Sequence, residues 1–251
     1  MTGAPPVPTV VLVHGAFADS SGWNGVIARL FAAGVRAQAV ANPLRGIPAD
    51  TEYVAAALQQ VPGPVLAVGH SYGGAVVTNA AARADDVVGL VYVAAFAPDE
   101  GELLADVEGG SVDSVLMGAL EERSYPTPEG PRTEWVIRAD RFHDAFAADL
   151  PSAVTAVMAA TQRPVSVLGF TVPSGTPAWR TLPSWAVVPT GDRAAGTDVL
   201  RAMARRAGAD VVETEGSHAV MISQPQVVAD VILRALDSLA RGVTPPVPAG
   251  V

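Results

Sequence analysis

Short, continuously apolar runs rich in valine alternate with alanine-rich segments of helical period along most of this chain. In its first part the apolar runs are 9–14, 35–41, 64–69 and 87–95. Strands without polar alternation are buried on both faces, which is typical of a parallel sheet covered by helices on each side. The pattern therefore predicts an α/β fold with a doubly wound, mostly parallel sheet.

The same alternation resumes towards the end of the chain. Two further strands, at 184–189 and 210–214, bring the predicted sheet to about six strands. The helices predicted around this sheet are 22–33, 49–61, 73–83, 197–207 and 225–239. Because crossovers between parallel strands are almost always right-handed, we expect these helices on both faces of the sheet.

Residues 98–180 interrupt the alternation with many proline, acidic and arginine residues. Helical pieces are predicted there at 111–123, 135–150 and 153–161, and no buried strand is evident. We therefore expect a discontinuous core formed by 1–97 and 181–251, with 98–180 inserted as a helical cap or lid. The Pro-rich tail, 243–251, is predicted to be loose.

The basic residues are all arginine, and the chain contains neither lysine nor cysteine. Without cysteine there is no disulfide, no thiolate nucleophile and no Cys-ligated zinc or iron–sulfur site. Without lysine there is no Schiff base to pyridoxal phosphate and no P-loop lysine on a nucleotide phosphate. The sequence therefore predicts no metal and no cofactor.

Acidic residues outnumber basic ones, which gives a formal net charge of −9. This balance argues against nucleic acid as a partner and against a polybasic membrane anchor. The longest apolar run, 87–97, is too short for a membrane span of about 20 residues. No basic residue precedes an apolar stretch at the N-terminus, unlike a secretory signal. We expect a cytoplasmic protein that is a monomer or a homodimer.

The strongest chemical signal is the segment GHSYG, in which Ser71 lies between a predicted strand and a predicted helix. This is G-x-S-x-G, the pattern of a nucleophile on a sharp strand-to-helix turn. Such a turn forces strained backbone angles on the serine, and Gly69 and Gly73 provide the small neighbours that it needs. We therefore predict Ser71 as a nucleophile whose Oγ projects above the sheet.

A nucleophilic serine needs a base, and His218 is the best-placed histidine. It follows the last predicted strand, in a loop that opens at the carboxyl edge of the sheet, where Ser71 also emerges. His14 ends the first strand and His70 lies inside the G-x-S-x-G segment, so we interpret both as structural residues. His218 is predicted as the general base.

The base in turn needs a carboxylate to orient it. Asp192 follows the fifth core strand at the same edge and lies between Ser71 and His218 in sequence, the order expected for this arrangement. Asp99, just after the fourth strand, is the alternative acid. We predict that Asp192, ahead of Asp99, is the carboxylate that orients the base.

Two backbone amides are needed to stabilise a tetrahedral intermediate. One is predicted at Tyr72, directly after the nucleophile, and the other at Ala16, with Phe17 as the second choice. Apolar side chains near these loops and in the insertion are the candidates for substrate binding, namely Phe17, Tyr72, Phe96, Phe142 and Met221.

Together these residues resemble the α/β-hydrolase superfamily over essentially the whole chain, with the insertion in place of the cap. Bacterial esterase-type serine hydrolases are the most similar members. The resemblance implies the α/β-hydrolase fold and a Ser-His-Asp triad made of Ser71, His218 and Asp192.

The histidine region, SHAVMISQPQ, is similar to that of the plant methylesterase and hydroxynitrile-lyase branch, which typically reads D-H-M-(A/V)-M-L-S-K-P-Q. Hydroxynitrile lyases carry a lysine where this chain has Gln224, and a threonine where it has Gly15. Both departures favour the esterases over the lyases. Ser217 replaces the usual aspartate, and the resemblance gives that change no function.

The sequence thus favours a serine hydrolase that cleaves a carboxylic ester or lactone of a small to medium apolar substrate through an acyl-enzyme. The alternative is a cyclase, dehydratase or C–C lyase that uses the same site without hydrolysis, because a fold alone does not determine a reaction.

Overall fold

A computed structural model describes residues 7–248 of the chain. The strands are β1 (Thr9–Val13), β2 (Ala37–Val40), β3 (Val65–His70), β4 (Val87–Val93), β5 (Leu120–Thr127), β6 (Gly130–Ile137), β7 (Val165–Ser166), β8 (Ser184–Pro189) and β9 (Asp210–Thr214). The α-helices are α1 (Asn24–Ala32), α2 (Ile47–Gln59), α3 (Tyr72–Ala80), α4 (Leu104–Gly109), α5 (Ala139–Phe146), α6 (Ser152–Thr161), α7 (Leu168–Thr171), α8 (Thr197–Arg206), α9 (Val220–Ser223) and α10 (Pro225–Arg241).

Six parallel strands form the main sheet, in the order β2-β1-β3-β4-β8-β9. The predicted doubly wound α/β fold is therefore confirmed, and each predicted core strand lies within two residues of the observed one. Every residue of β1, β3 and β8 is buried, as expected for strands with apolar side chains on both faces.

The strand order explains why helices cover both faces of the sheet. The chain moves from β1 outwards to β2, returns to β3 on the other side of β1, and then continues to β4. With right-handed crossovers, this reversal places α1 on one face and α2 and α3 on the other. The packing agrees, since α1 lies against α10 and α2 lies against α3.

The register of the strands brings several loops to one edge. Val13 of β1 pairs with Gly69 of β3, and Val93 of β4 pairs with both His70 and Val187 on its two neighbours. The loops that follow β1, β3, β4 and β8 therefore open at the same carboxyl edge. From β1 the chain first adds a strand on one side and then, with β3, on the other side. The loops that leave β1 and β3 therefore diverge and leave a crevice between them, which is where such sheets bind ligands.

Between β4 and β8 the chain is not the purely helical insertion that the sequence pattern predicts. β5, β6 and β7 form a separate three-stranded antiparallel sheet. The helix predicted over 111–123 is wrong, because 120–123 belong to β5. The helix predicted over 135–150 begins only at Ala139, whereas the one predicted over 153–161 is confirmed as α6.

The hairpin of β5 and β6 escaped prediction because it is largely exposed. No residue of β5 is buried, so its sequence shows no apolar alternation. Arg123 and Glu134 are opposite each other in the register, but their side chains form ion pairs with Glu121 and Arg45 instead. Burial begins only at the end of β6, over 134–137. A pattern based on hydrophobic period could not detect these strands.

The two ends of the chain are described only in part. The N-terminal residues 1–6, on which the expectation of no secretory signal depends, and the last three residues of the Pro-rich tail lie outside the described residues. The rest of the tail, 243–248, contains no helix or strand. Over 7–248, no helix is both long enough and apolar enough to cross a membrane.

Candidate active site

Ser71 stands on the sharp turn between β3 and α3, at the carboxyl edge of the main sheet. Its backbone angles, φ 53° and ψ −126°, are rare for a residue with a side chain. A conformation of this kind costs on the order of 1–3 kcal/mol. The Ser71 carbonyl accepts hydrogen bonds from the amides of Gly74 at 2.9 Å and Phe96 at 3.2 Å. The surrounding backbone therefore holds the serine in its strained conformation.

Glycines let the backbone close tightly around this turn. A Cβ on Gly69 would lie 2.6 Å from a Cα atom in α3, and one on Gly73 would lie 2.5 Å from the Val13 carbonyl oxygen. A Cβ on Gly15 would lie 2.6 Å from the Cβ of Ser71. The loop after β1 is thus packed directly on the serine, and no side chain fits where hydroxynitrile lyases carry threonine.

His218 and Asp192 form a buried pair at the same edge. The His218 Nδ1–H donates to Oδ2 of Asp192 at 2.6 Å, and both side chains are at most 1% exposed. Because the carboxylate can only accept, the proton of the neutral imidazole lies on Nδ1. This tautomer leaves Nε2 of His218 with a free lone pair, which is what a general base requires.

The second oxygen of Asp192 is held by backbone amides. Oδ1 accepts from the amides of Ala194 at 3.0 Å, Ala195 at 2.9 Å and Gly196 at 3.3 Å. Such hydrogen bonds to an ionised group are stronger than those between neutral groups. The loop 192–196, which we call the acid loop, therefore both carries the carboxylate and fixes its orientation.

Asp99, the alternative acid, occupies a different environment. It pairs with Arg180 at 2.6 Å, and its Oδ1 also accepts from the amide of Glu100 at 2.7 Å. Its side chain is 29% exposed, in contrast to the buried Asp192. The structure therefore brings Asp192, and not Asp99, to His218.

His70 ties the nucleophile turn to the loop that carries His218. Its Nε2–H donates to the backbone carbonyl of His218 at 3.0 Å, and the two ring centroids lie 4.8 Å apart. Burial lowers the pKa of His70 well below its ordinary value, so this ring is neutral. The interpretation of His70 as a structural residue agrees with these contacts.

Phe146, at the end of α5, covers His218. Their ring centroids are 4.9 Å apart in an edge-on arrangement, and Phe146 is 1% exposed. Sequence reasoning missed this residue and named Phe142 instead, which lies one turn earlier and contacts Phe146 at 5.1 Å. The spacing of four residues, which places both rings on one helix face, was the signal that could have found it.

The loop after β1 carries the amides predicted for the oxyanion hole. Ala16 and Phe17 are buried, and Phe17 has a φ of 60°. No acceptor within the described chain takes the amide hydrogens of Ala16, Phe17 or Tyr72. Buried amides without a partner are rare, so these three are available to a bound oxyanion.

The side chain of Tyr72 anchors the start of α3. Its hydroxyl donates to Oδ2 of Asp50 at 2.7 Å, and its ring stacks on Phe170 with a centroid distance of 5.8 Å. Asp50 is buried and also accepts from the amides of Arg45 and Gly46. These contacts fix the position of the Tyr72 backbone, including its amide.

His14 fixes the loop after β1 from the other side. Its Nδ1–H donates to the carbonyl of Gly15 at 2.9 Å, and its Nε2 accepts from the amide of Asn42 at 3.0 Å. Arg163, from the insertion, lies 3.2 Å from the same nitrogen. Burial lowers the pKa of His14 to about 4, with Arg163 acting in the same direction. His14 is therefore a neutral structural residue, as expected.

A cavity of about 50 Å³ lies between the loop after β1 and the helices α5, α6 and α9. Its walls are Phe17, Ala18, Asp19, Ser21, Gly22, Phe146, Met158, Thr161, Gln162, Met221 and Ile222. Phe17 and Met221 are thus the predicted substrate-binding residues that line it, while Tyr72, Phe96 and Phe142 are buried elsewhere. Phe146 contacts both the cavity and the ring of His218, so it links the two.

Ser217, which replaces the usual aspartate of the resembling branch, donates its hydroxyl hydrogen to Asp149 of the insertion. Burial alone would raise the pKa of Asp149, but hydrogen bonds that include this one hold it below its ordinary value. A carboxylate is thus present beside the histidine loop, although it comes from a distant part of the sequence.

Among residues 7–248, no group of three or more His, Asp or Glu side chains could hold a metal ion.

Comparison with known proteins places this site in a family. A family model described as the alpha/beta hydrolase family matches residues 10–231. The alpha/beta hydrolase nvfD of Aspergillus novofumigatus is 27% identical over 254 residues, which cover 91% of this chain and 96% of that protein.

Solved structures show the same fold at low sequence identity. Polyneuridine aldehyde esterase has a TM-score of 0.77 at 21% identity, covering 91% of this chain and 99% of its own. A pyrethroid hydrolase from Sphingobium faniae JZ-2 has a TM-score of 0.76 at 22% identity, with coverages of 94% and 100%. A methylesterase from Arabidopsis has a TM-score of 0.76 at 19% identity, with coverages of 92% and 99%. The predicted superfamily is therefore confirmed: the chain belongs to the alpha/beta hydrolase family.

Proposed function

We propose that this protein is a serine esterase that cleaves a carboxylic ester or lactone through an acyl-enzyme. The observation that carries the proposal is the buried pair of His218 and Asp192, bonded at 2.6 Å, beside a strained Ser71 in a G-x-S-x-G turn. The esterases and the hydrolase among the structural neighbours support the reaction class.

Acylation begins with Ser71. Its Oγ attacks the carbonyl carbon of the substrate while Nε2 of His218 takes the hydroxyl proton. Asp192 accepts from Nδ1–H throughout, so it keeps the ring in the productive tautomer and stabilises the imidazolium that forms. Because Asp192 is already fixed by three amides of the acid loop, little reorganisation is needed when that charge develops.

The oxyanion of the tetrahedral intermediate is stabilised by backbone amides. Tyr72 contributes one from the first turn of α3, and Ala16 contributes the other, with Phe17 as the second choice. The N-terminal end of α3 carries a partial positive charge that favours the same anion. Loss of one such donor typically reduces the rate about 10²–10³-fold.

The intermediate then collapses as His218 returns its proton to the leaving alkoxide, and the alcohol departs. Water next attacks the acyl-enzyme, giving a proton to His218, and the second collapse returns that proton to Ser71. Each cycle therefore consumes one water and one ester and regenerates the neutral histidine.

The cavity indicates the size of the substrate. Neither Ser71 nor His218 lines it, and it adjoins His218 through Phe146. Its volume of about 50 Å³ and the side chains of Phe17, Phe146 and Met221 support a small apolar group on the substrate. Met158 adds an adaptable apolar wall, because methionine side chains fill irregular gaps. We propose that small to medium apolar esters or lactones are the substrates.

The proposal is tested with p-nitrophenyl esters of increasing acyl length and with simple lactones. Replacement Ser71→Ala should reduce ester turnover by several orders of magnitude. The matched control is Ser152→Ala, which removes an exposed hydroxyl at the start of α6 and should leave turnover unchanged. Wild-type turnover in Ser71→Ala, or no hydrolysis of any ester or lactone by the wild type, would overturn it.

A further inference from the structure

Glu108 is a buried carboxyl group that the mechanism above does not use. It lies on α4, the first helix of the insertion, and is only 2% exposed. Carboxylates are almost never fully buried unless they are paired, and Glu108 has no basic partner among the described residues. In this environment the charged form of the carboxyl group is unfavourable.

Glu108 lies beneath a bracket that joins the insertion to the acid loop. We define this bracket as residues 111–116, which run alongside 193–198. Its hydrogen bonds run from the Val115 amide to the Arg193 carbonyl at 2.8 Å, from the Ser114 hydroxyl to the Ala194 carbonyl at 2.6 Å, and from the Ser111 hydroxyl to Asp198 at 2.6 Å. The bracket therefore supports the backbone whose amides hold Asp192.

The single hydrogen of the Ser114 hydroxyl bears on the protonation state of Glu108. The Ser114 hydroxyl lies 2.6 Å from the Ala194 carbonyl and 3.2 Å from Oε1 of Glu108. A hydroxyl has one hydrogen, and the shorter contact is with a carbonyl that can only accept. The hydroxyl hydrogen of Ser114 therefore points towards the Ala194 carbonyl. A hydrogen bond between Ser114 and Glu108 then requires a second hydrogen, which a protonated Glu108 carboxyl would supply.

The surroundings of Glu108 favour the same state. Its Oε2 is buried and has no hydrogen-bond partner in the described chain, which would be costly for a charged oxygen. Among the described residues, the charge that acts on it most strongly is that of Asp192, which is itself bonded to His218. Burial is the main cause that raises the pKa of Glu108 from 4.5 to about 7; the negative charge of Asp192 acts in the same direction, and hydrogen bonds with Ser114 and the Met117 backbone act against it.

We propose that Glu108 is a positioning residue: as a neutral acid it donates to Ser114, and through the Ala194 carbonyl it fixes the acid loop that orients Asp192. This role rests on the proposed function of Asp192 as the triad acid. Glu108 touches neither the substrate nor the reacting atoms.

Ionisation of Glu108 breaks this chain of hydrogen bonds. The proton leaves to solvent, and the resulting carboxylate faces a lone pair of Ser114 and the charge of Asp192. The folded protein holds the proton up to about pH 7, whereas the unfolded chain releases it near 4.5. The stability contributed by this proton is therefore complete below about pH 4.5 and is lost as the pH rises through about 7.

The first test measures unfolding of the intact protein in urea at pH 5 and pH 8. Replacement Glu108→Gln keeps the shape and the donor but cannot ionise. Between these pH values the folding equilibrium constant of the wild type should fall roughly 70-fold relative to that of Glu108→Gln. Asp106→Asn, which removes an exposed charge from the same helix, is the control and should follow the wild type. Parallel curves for Glu108→Gln and the wild type would overturn the proposal.

The second test measures kcat/KM for a p-nitrophenyl ester between pH 6 and pH 9. The wild type should lose activity as Glu108 ionises, and Glu108→Gln should lack that alkaline decline. Ser114→Ala should lower kcat at every pH with little change in KM, because it cuts the connection to the acid loop. Profiles of both variants that superimpose on the wild type would overturn the positioning role. If the wild type hydrolyses no ester, the esterase proposal fails, while the unfolding test still decides the protonation of Glu108.

Discussion

Phe146 lies edge-on against the ring of His218, with centroids 4.9 Å apart and an interplanar angle of 73°. The phenyl ring comes from the insertion and the imidazole from the core, so this contact is where the two parts of the chain meet at the proposed catalytic base. Phe146 also lies 6.5 Å from Phe17, the other aromatic wall of the cavity. The insertion therefore limits the space beside the base.

Replacement Phe146→Leu should widen the set of accepted esters. A smaller side chain enlarges the cavity, so the ratio of kcat/KM for a long acyl ester to that for acetate should rise about tenfold, in line with the value of one methylene group in an apolar pocket. The measurement is kcat/KM for p-nitrophenyl esters of increasing chain length. Phe31→Leu, an exposed phenylalanine on α1, is the control. An unchanged ratio would show that Phe146 does not limit the acyl group.

Replacement Asp192→Asn should reduce kcat by about 10³–10⁴-fold while the fold persists. The amide oxygen can still accept from the acid loop, but its NH₂ group then faces Nδ1 of His218 and favours the wrong tautomer. The measurement is ester kcat with circular dichroism of both proteins. Asp99→Asn, which removes the alternative acid, should retain activity. A larger loss in Asp99→Asn than in Asp192→Asn would contradict the assignment.

His14 should make the protein less stable in mild acid. The folded state keeps His14 neutral down to about pH 4, whereas in the unfolded chain it takes up a proton below about 6.5. The free energy of unfolding is therefore unaffected above 6.5 and falls as the pH drops towards 4. Its contribution between pH 7 and pH 5 is about 2 kcal/mol.

This loss is measured by urea unfolding of the wild type and of His14→Gln, a neutral side chain that can both donate and accept. In His14→Gln the free energy of unfolding should fall less between pH 7 and pH 5 than in the wild type. The surface variant His143→Gln should behave as the wild type. Equal acid sensitivity of His14→Gln and the wild type would contradict the neutral, buried state of His14.

The contact between Ser217 and Asp149 predicts a reciprocal exchange. Replacement Ser217→Asp, which introduces the residue of the resembling branch, places two carboxylates together and should destabilise the protein by roughly 1–2 kcal/mol. Adding Asp149→Ser restores one donor and one acceptor, so stability should return. The measurement is a double-mutant cycle in urea. Additive effects of the two substitutions would show that the contact contributes nothing.

The sequence was sufficient to predict the main sheet and the order of the site residues along it. The central strands β1, β3 and β8 are buried at every residue, so their sequences are continuously apolar. The edge strands β2 and β9 are only partly buried. Ser71 was recognisable because a strained turn between a strand and a helix needs glycine on either side, and a Cβ on Gly69 or Gly73 would collide with backbone atoms.

The insertion could not be predicted in the same way. Its bracket, 111–116, satisfies its hydrogen bonds on the acid loop and not within a helix, and a contact between segments 80 residues apart leaves no local pattern. For the same reason no local pattern pointed to Glu108, Asp149 or Arg163. Phe146 is the exception, because it shares a helix face with Phe142.

In the proposed mechanism, Ser71 is a nucleophile activated by His218. Reaction of the protein with a p-nitrophenyl phosphonate, which forms a stable adduct, followed by peptide mass spectrometry, locates the nucleophile. We expect one phosphonyl group per chain, on Ser71, with no adduct in Ser71→Ala and much slower labelling in His218→Ala. Labelling at another residue, or equally fast labelling of His218→Ala and the wild type, would contradict this mechanism.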